Sequence, residues 1–353
     1  MKYLKKFKTN AEYQTYISDN TAFKPNVSYV TDDGDVFYNP LSTSTDYSTE
    51  YLTFEAVTSG TVTIKASEAA IAKTISYSTD NGDTWTDLTS STTEQTLATL
   101  SVGDKLLVKG ENTTYANDSG YNSFGGTAQV NVYGNIMSLI YGDNFIGQTT
   151  LSETNTFYLL FYDNTNLLSA ENLVLPATTL ASGCYNAMFN GCTSLVTAPE
   201  LPATALAGGC YSDMFYGCTS LVTAPELPAT ALAIYCYSQM FYGCTSLVNA
   251  PELPATTLAE GCYTSMFYGC TSLETAPELP ATTLENDCYT YMFYGCTNLN
   301  YVKMMALEIS DMSIVDSWLE GTSSEGTFVK NANATWTEAD VIPSGWTVET
   351  ATE

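Results

Sequence analysis

A unit of 26 residues limits what this chain can fold into more than any other feature. It begins at Ala177, Ala203, Ala229, Ala255 and Ala281, and its clearest copy reads CYSDMFYGCTSLVTAPELPATAL, Cys210 to Leu232. A fixed period of this size belongs to units that bury their apolar faces against one another, so residues 177–306 are predicted to form a solenoid of five repeats. The stretch LFYDNTNLLSAENLVLPATTL fits the same frame with two extra residues and has Asp163-Asn164 where later units have Gly-Cys. It reads as a degenerate N-terminal cap, within 136–176.

Inside each unit, Cys, Tyr, Met, Phe and Cys fall at i, i+1, i+4, i+5 and i+8, which predicts one apolar stripe on a short helix. The second half, SLVTAPELP from Ser220 to Pro228, holds Pro225 and Pro228 and is expected to be an extended segment with a corner. All ten cysteines fall in two columns: Cys184, Cys210, Cys236, Cys262 and Cys288, then Cys192, Cys218, Cys244, Cys270 and Cys296. Within a helical unit the two would lie about 12 Å apart, beyond the roughly 7 Å reach of a disulfide. Each column holds five, so pairing within it always leaves one over; buried free thiols are expected, with disulfides or a metal array as the alternative. Glu200, Glu226, Glu252 and Glu278 form a further column, expected to be solvated, the alternative being shared cations such as Ca²⁺.

The letters that vary between units mark the expected surface. Ser212, Asp213, Ile234, Tyr235, Gln239 and Tyr291 lie at variable positions, and Tyr216, Tyr242, Tyr268 and Tyr294 sit off the apolar stripe, with Asn190 in the first unit. These ten residues are the candidate ligand-binding positions. The tyrosine row reads either as a platform for sugar or protein, or as a cover over the neighbouring coil.

Composition excludes much chemistry. The 353 residues include 38 Asp or Glu against 11 cationic residues, every one a Lys, with no His and no Arg. Ser-His-Asp triads and His-ligated zinc are therefore impossible, and no bidentate arginine clamp for phosphate exists. No cationic residue lies between Glu111 and Tyr301, so nucleic acid and anionic membrane surfaces are expected to be repelled. No catalytic residue, metal or cofactor is expected, nor is insertion into a membrane.

Ahead of the repeats, residues 1–40 read as a small helix-and-hairpin unit, with a helix over AEYQTYISD and strands turning at Asp32 to Asp35. Residues 41–50 form a Ser/Thr-rich link. In 51–135 the runs YLTFEAV, GTVTIKA, KTISYS, DKLLVKG and TAQVNVY alternate between turn signals and predict an Ig-like β-sandwich. The tail, 307–353, is expected to be a C-terminal cap with a short helix around Trp318 and strands at GTFVK and GWTVE. The whole is a multi-domain, mainly β chain with short helices.

Three resemblances accompany these patterns. MFYGCTSL followed by APELP resembles bacterial leucine-rich repeats of the BspA and Treponema type over roughly residues 155–305, although Met replaces that family's Ala and the unit is a few residues longer. The family implies a curved parallel solenoid with helical or 3₁₀ backs, used for adhesion. STDNGDTW, Ser78 to Trp85, resembles the Asp-box of sialidases, which implies a hairpin held by Asp80 over Trp85; the missing arginines speak against sialidase activity. KFKTNAEYQTYISDN with KPNVSYVTDDGDVFYNP resembles the leader of structural proteins of phages infecting gut Bacteroidetes, and GNIMSLIYGDNF and the closing GTFVKN and IPSGWTV resemble later parts of the same proteins. That resemblance implies a non-enzymatic virion protein, a head or tail fibre or decoration protein. Its N-terminal unit would attach to other virion proteins and its repeats would face a host-surface or mucosal protein or glycan; analogy with such fibres implies a homotrimer. A BspA-like adhesin on a bacterial cell surface is the alternative, and a glycan-binding module of an enzyme complex a third. No secretory signal follows the basic start MKYLKKFK, which, if the chain is complete, favours the virion over an exported adhesin.

Overall fold

A computed structural model describes residues 4–7, 28–31, 36–38, 46–117, 119–337 and 341–351. The protein is mainly β, with several sheets and little helix, and divides into two compact units, Met1–Asp46 and Tyr47–Glu353.

In the first unit β1 (Leu4–Phe7), β2 (Ser28–Thr31) and β3 (Val36–Tyr38) form one sheet in that order. The expected hairpin is the antiparallel pair β2 and β3, with Ser28 opposite Tyr38, and β1 adds to β2 in parallel. The turn at Asp32 to Asp35 and the helix expected over AEYQTYISD lie outside the described residues.

The second unit opens on a 3₁₀ turn, Tyr47–Thr49, that is packed rather than free. The Tyr47 ring lies 5.0 Å from that of Tyr133, and the Glu50 carbonyl accepts the Asn135 N–H, so the end of the expected linker belongs to the folded body. Eight strands follow: β4 (Leu52–Ala56), β5 (Gly60–Ala66), β6 (Thr74–Ser78), β7 (Thr86–Thr89), β8 (Gln95–Leu100), β9 (Lys105–Gly110), β10 (Asn122–Gly126) and β11 (Val130–Asn135). They form two antiparallel arrays, β10-β5-β8 and β11-β4-β9-β6-β7. Alternation buries Leu106 and Val108 while Lys105 and Lys109 stay accessible, and Phe54 meets Phe124 across the arrays at 5.3 Å. Strands β7 and β10 escaped the alternation reading because TDLT and NSFGG carry little of it, although the Asp-box resemblance implied the hairpin that β7 completes; in β8 an irregularity in the pairing with β5 buries both Leu97 and Ala98 and breaks the alternation.

The larger sheet does not stop at the expected boundary. β11 pairs in parallel with β12 (Leu167–Ser169) and β13 (Leu173–Val174), both in the first coil of the repeat region. The Phe124 N–H donates to the Leu160 carbonyl, and Phe54 packs on Phe161. This continuous backbone pairing and shared core explain why residues 47–353 form a single compact unit.

From there the chain winds in stacked coils, the first step being 28 residues, as from Phe161 to Phe189, and the later ones 26, as from Phe189 to Phe215. The stripe expected to be helical is not a helix. In Gly209 to Cys218 the N–H groups of Gly209, Tyr211, Asp213, Phe215 and Gly217 donate to carbonyls of the next coil, those of Ile234, Cys236, Ser238, Met240 and Tyr242, at 2.7–3.1 Å. The alternating N–H groups, Cys210, Ser212, Met214, Tyr216 and Cys218, donate back three residues within their own coil. All ten donors are thereby satisfied, half locally and half between coils, whereas an α-helix would spend them all internally. The cost is a left-handed residue every fourth position: Gly209, Asp213 and Gly217 have φ of 58°, 56° and 70°. The same frame holds in Asn155, Leu159 and Asp163, and in Tyr235, Gln239 and Gly243.

The extended half of each unit pairs one residue at a time, as in the parallel bridges Thr197 with Thr223 and Thr223 with Asn249. Longer pairing is blocked because Pro225 and Pro228 have no N–H to donate. Inside the stack, Tyr185, Tyr211, Tyr237, Tyr263 and Tyr289 form one ladder of near-parallel buried rings, and Phe161 through Phe293 a second, with steps of 5.3–6.2 Å.

The tail corrects the sequence reading again. Around Trp318 there is no α-helix: a 3₁₀ turn, Met312–Val315, leads into one more coil of the same frame, with Ser317 and Gly321 left-handed. The carbonyls of Ile314, Asp316, Trp318 and Glu320 accept N–H groups from Tyr289 to Gly295. Ile314, Val315, Trp318 and Leu319 take the places of Cys288, Tyr289, Met292 and Phe293, too altered to be recognised as a repeat by letters. Strands β14 (Tyr301–Met304), β15 (Gly326–Lys330) and β16 (Trp346–Thr350) close the stack as a parallel sheet. The indole N–H groups of Trp318, Trp336 and Trp346 each reach a backbone carbonyl, so the closing aromatic layer carries no unpaired donor there.

Candidate ligand-binding surface

The ten cysteines are free and buried. Each thiol of the second column donates to a Phe carbonyl one coil back, as Cys218 does to Phe189 at 3.2 Å and Cys244 to Phe215 at 3.1 Å. A side chain small enough for the core that still carries a weak donor suits this place. Burial pushes the Cys210 and Cys236 thiols up to about 12, so they stay protonated and unreactive near neutrality.

Tyr216, Tyr242, Tyr268 and Tyr294 are half-buried and stacked face to face, with centroid steps of 4.5, 4.3 and 4.7 Å. Their inner faces cover one another, so edges and hydroxyls meet solvent rather than a row of open rings. Burial, with the neighbouring Tyr268 phenol, pushes Tyr242 up to about 12. Glu200, Glu226, Glu252 and Glu278 are exposed, and Glu278 pairs with Lys303 at 2.9 Å. Among the described residues no group of three His, Cys, Asp or Glu side chains is placed to hold a metal ion. An exposed column that the sequence reading passed over is Val196, Val222 and Val248, each 42–50 % accessible.

Of the variable positions, Ile234 and Tyr235 are 55 % and 41 % exposed and Tyr291 is 37 % exposed. Tyr235 donates its hydroxyl to Glu260, and its ring covers Gly261 so closely that a Cβ there would lie 2.1 Å from it. Asp213, Gln239, Tyr235 and Tyr291 all occupy left-handed ribbon positions. Gln239 is half-buried. Ser212 was expected to face outward and does not: it is 8 % exposed, and its hydroxyl bonds the Asp213 carboxylate at 2.7 Å and the Ser238 carbonyl at 3.2 Å. It sits at an even ribbon position whose carbonyl and side chain both serve the coil contact.

Asp213 belongs to a cleft that the candidate residues alone do not outline. A cavity of about 400 Å³ is lined by Tyr121, Tyr158, Tyr162, Asn186, Asn190 and Asp213, with Leu159 and Ala187 beneath. Tyr121 comes from the strand region just before β10, Tyr158 and Tyr162 from the opening coil, and the rest from the next two. The rings meet edge to face: Tyr121 lies 6.3 Å from Tyr158 at 87° and 5.5 Å from Tyr162 at 72°. Burial pushes the Asp213 carboxyl above the usual range, against the bond from Ser212 that lowers it. Tyr121 and Tyr162 also line an adjoining cavity of about 670 Å³ that runs past Thr63, Glu94 and Asn166.

Counting by ribbon frame, the outer tyrosine column reads Tyr162, Asn190, Tyr216, Tyr242, Tyr268, Tyr294, because each of these precedes a left-handed residue at the ribbon's end. Two positions in this frame carry no ring, Asn190 and, in the closing coil, Glu320 before the left-handed Gly321; the cleft lies at Asn190. The signal in the sequence was the substitution at Asn190 itself; Tyr121 had none, since only folding brings it near.

The Asp80 hairpin has the geometry its motif implies. Asp80 accepts from the Thr84 hydroxyl at 2.6 Å, the Thr84 N–H at 2.9 Å and the Ser78 hydroxyl at 2.7 Å, and these bonds, the Thr84 hydroxyl first, hold its carboxyl at about 2. Trp85 packs beside Tyr51, with the Lys109 ammonium 4.1 Å from its ring centroid and 2.6 Å from Asp143. That lysine is engaged in structure. No protein-family model matches the chain, and comparison with curated proteins and with solved structures found no match.

Proposed function

We propose that this is a non-enzymatic display protein, a phage head or tail fibre or decoration protein. In this reading residues 1–40 attach it to other virion proteins, an Ig-like sandwich acts as spacer, and a leucine-rich-repeat-like solenoid presents its outer columns to a host or mucosal ligand, in a homotrimer. The observation that carries the proposal is the split within each coil: the core letters hardly change, while the positions that change include the exposed Ile234, Tyr235 and Tyr291. A stack built this way keeps its backbone while its surface varies, which is what a recognition surface requires. The chain offers no His or Arg for chemistry, and its burial of all ten thiols leaves no nucleophilic cysteine exposed. Among the described residues no helix is long and apolar enough to cross a membrane.

Immunogold electron microscopy of purified phage particles, with antibody raised against residues 177–306, tests the reading. Label at discrete sites on the virion is expected. Particles that lack the protein, with the chain found instead on bacterial surfaces, would replace it with the adhesin reading.

A further inference from the structure

We infer that the cleft at Asn190 is a binding site for a neutral carbohydrate, one sugar ring occupying the slot where the outer tyrosine column lacks its ring. The inference rests on the display reading, to which it adds a place and a ligand class.

Four observations converge. First, from Tyr216 to Tyr294 the column is closed by rings stacked at steps of 4.3–4.7 Å, whereas at Asn190, where a short side chain stands in the place of a ring, the cleft opens beside Tyr162. A pyranose is about as thick as the ring that is missing, and its C–H face packs on an aromatic face as another ring would. Second, the polar groups of the cleft are the amides of Asn186 and Asn190, the carboxyl of Asp213 and the tyrosine hydroxyls. Amides offer donor and acceptor side by side, the arrangement that vicinal hydroxyls require. Third, no Lys lines the cleft and its one charged group is the Asp213 carboxyl, so an anionic ligand seated in it would meet like charge; Lys65 lines only the adjoining cavity. Fourth, Tyr121 meets Tyr158 and Tyr162 edge to face at 6.3 and 5.5 Å, so these rings are spent on one another rather than walling the open box of faces that a quaternary ammonium group would need. Asp213 is anchored by Ser212 through one oxygen, Oδ2, which orients the carboxyl without a charged partner.

The test uses the full chain and a fixed panel: cellotetraose, maltotetraose, xylotetraose, mannotetraose and chitotetraose as neutral probes, with sialyllactose and choline as charged ones, followed by isothermal titration. At least one neutral probe should bind. Asn190→Tyr, which restores the missing ring, and Tyr162→Ala should each weaken it tenfold or more, while Tyr268→Ala, far along the column, should leave affinity within twofold. Circular dichroism establishes that each variant is folded; because Asn190→Tyr completes a ladder, it should melt no lower than the parent. No neutral probe binding at 10 mM, binding of sialyllactose or choline alone, or unchanged affinity in both cleft variants would overturn the inference. None of those outcomes touches the display reading, which is decided on particles; equally, a chain absent from virions could still bind the sugar.

Discussion

Gly217 tests the ribbon most sharply, because one substitution there has opposite signs for the two backbone geometries. Its φ is 70°, no atom outside its chain neighbours lies within 4 Å of where a Cβ would sit, and its N–H is bonded to the Tyr242 carbonyl at 2.7 Å. Alanine at 217 therefore meets no clash and loses no hydrogen bond. What remains is the cost of placing a Cβ at positive φ, about 1–2 kcal/mol. The stiffer unfolded chain returns roughly 0.4–1 kcal/mol. The expected net effect is a loss of about 1 kcal/mol. Were Cys210 to Cys218 an α-helix, Gly217→Ala would instead gain up to about 1 kcal/mol. Gly217→Asn, with a side chain that tolerates the left-handed region, should lose less than alanine. Urea unfolding followed by far-ultraviolet circular dichroism measures the difference: at a slope of about 3 kcal/mol per molar, the midpoint should fall by about 0.3 M. A midpoint that rises, or does not move, refutes the alternating hydrogen-bond scheme.

Three further outcomes follow from the same structure. Titration with a thiol reagent should find ten thiols in denaturant and none reacting within minutes in the native chain at pH 8, because burial keeps them protonated; fewer than ten would mean disulfides. The Tyr211 hydroxyl is buried without a hydrogen-bond partner. An unpaired buried hydroxyl costs about 1–3 kcal/mol, so Tyr211→Phe should raise stability by about 1 kcal/mol, and a loss in chemical denaturation would contradict this account. Asp80 is held at about 2, below its unfolded value near 3.9, so the stability it contributes is present above about pH 4 and is lost as the pH falls through about 2. Asp80→Asn should flatten that part of the acid unfolding profile, and identical acid slopes for parent and variant would remove Asp80 from the explanation.

Much of the β content was legible. The alternation in GTVTIKA and DKLLVKG corresponds to β5 and β9, and GTFVK and GWTVE to β15 and β16, because a half-buried strand imposes period two on its letters. The ribbon was misread although its signal was present. Cys210, Met214 and Cys218 recur at a strict four, as do Gly209, Asp213 and Gly217, whereas a helix would prefer 3.6. Over nine residues the two periods differ too little for apolar letters alone to decide, and the regularly placed glycines carried the distinction.

What the sequence determined by itself is the repeat, the membership of its core columns and the absence of any His or Arg, since these depend only on which letters stand where. Which backbone the repeat adopts was decided by tertiary structure: half of the ribbon's N–H groups find their acceptors 25 residues away in the next coil, as Tyr211 does in Cys236. The same holds for Ser212, a variable letter drawn inward by the Ser238 carbonyl, and for the cleft. Tyr121 and Asp213 come together there because β11 pairs with the opening coil and sets the sheet against the stack, a contact no local pattern encodes.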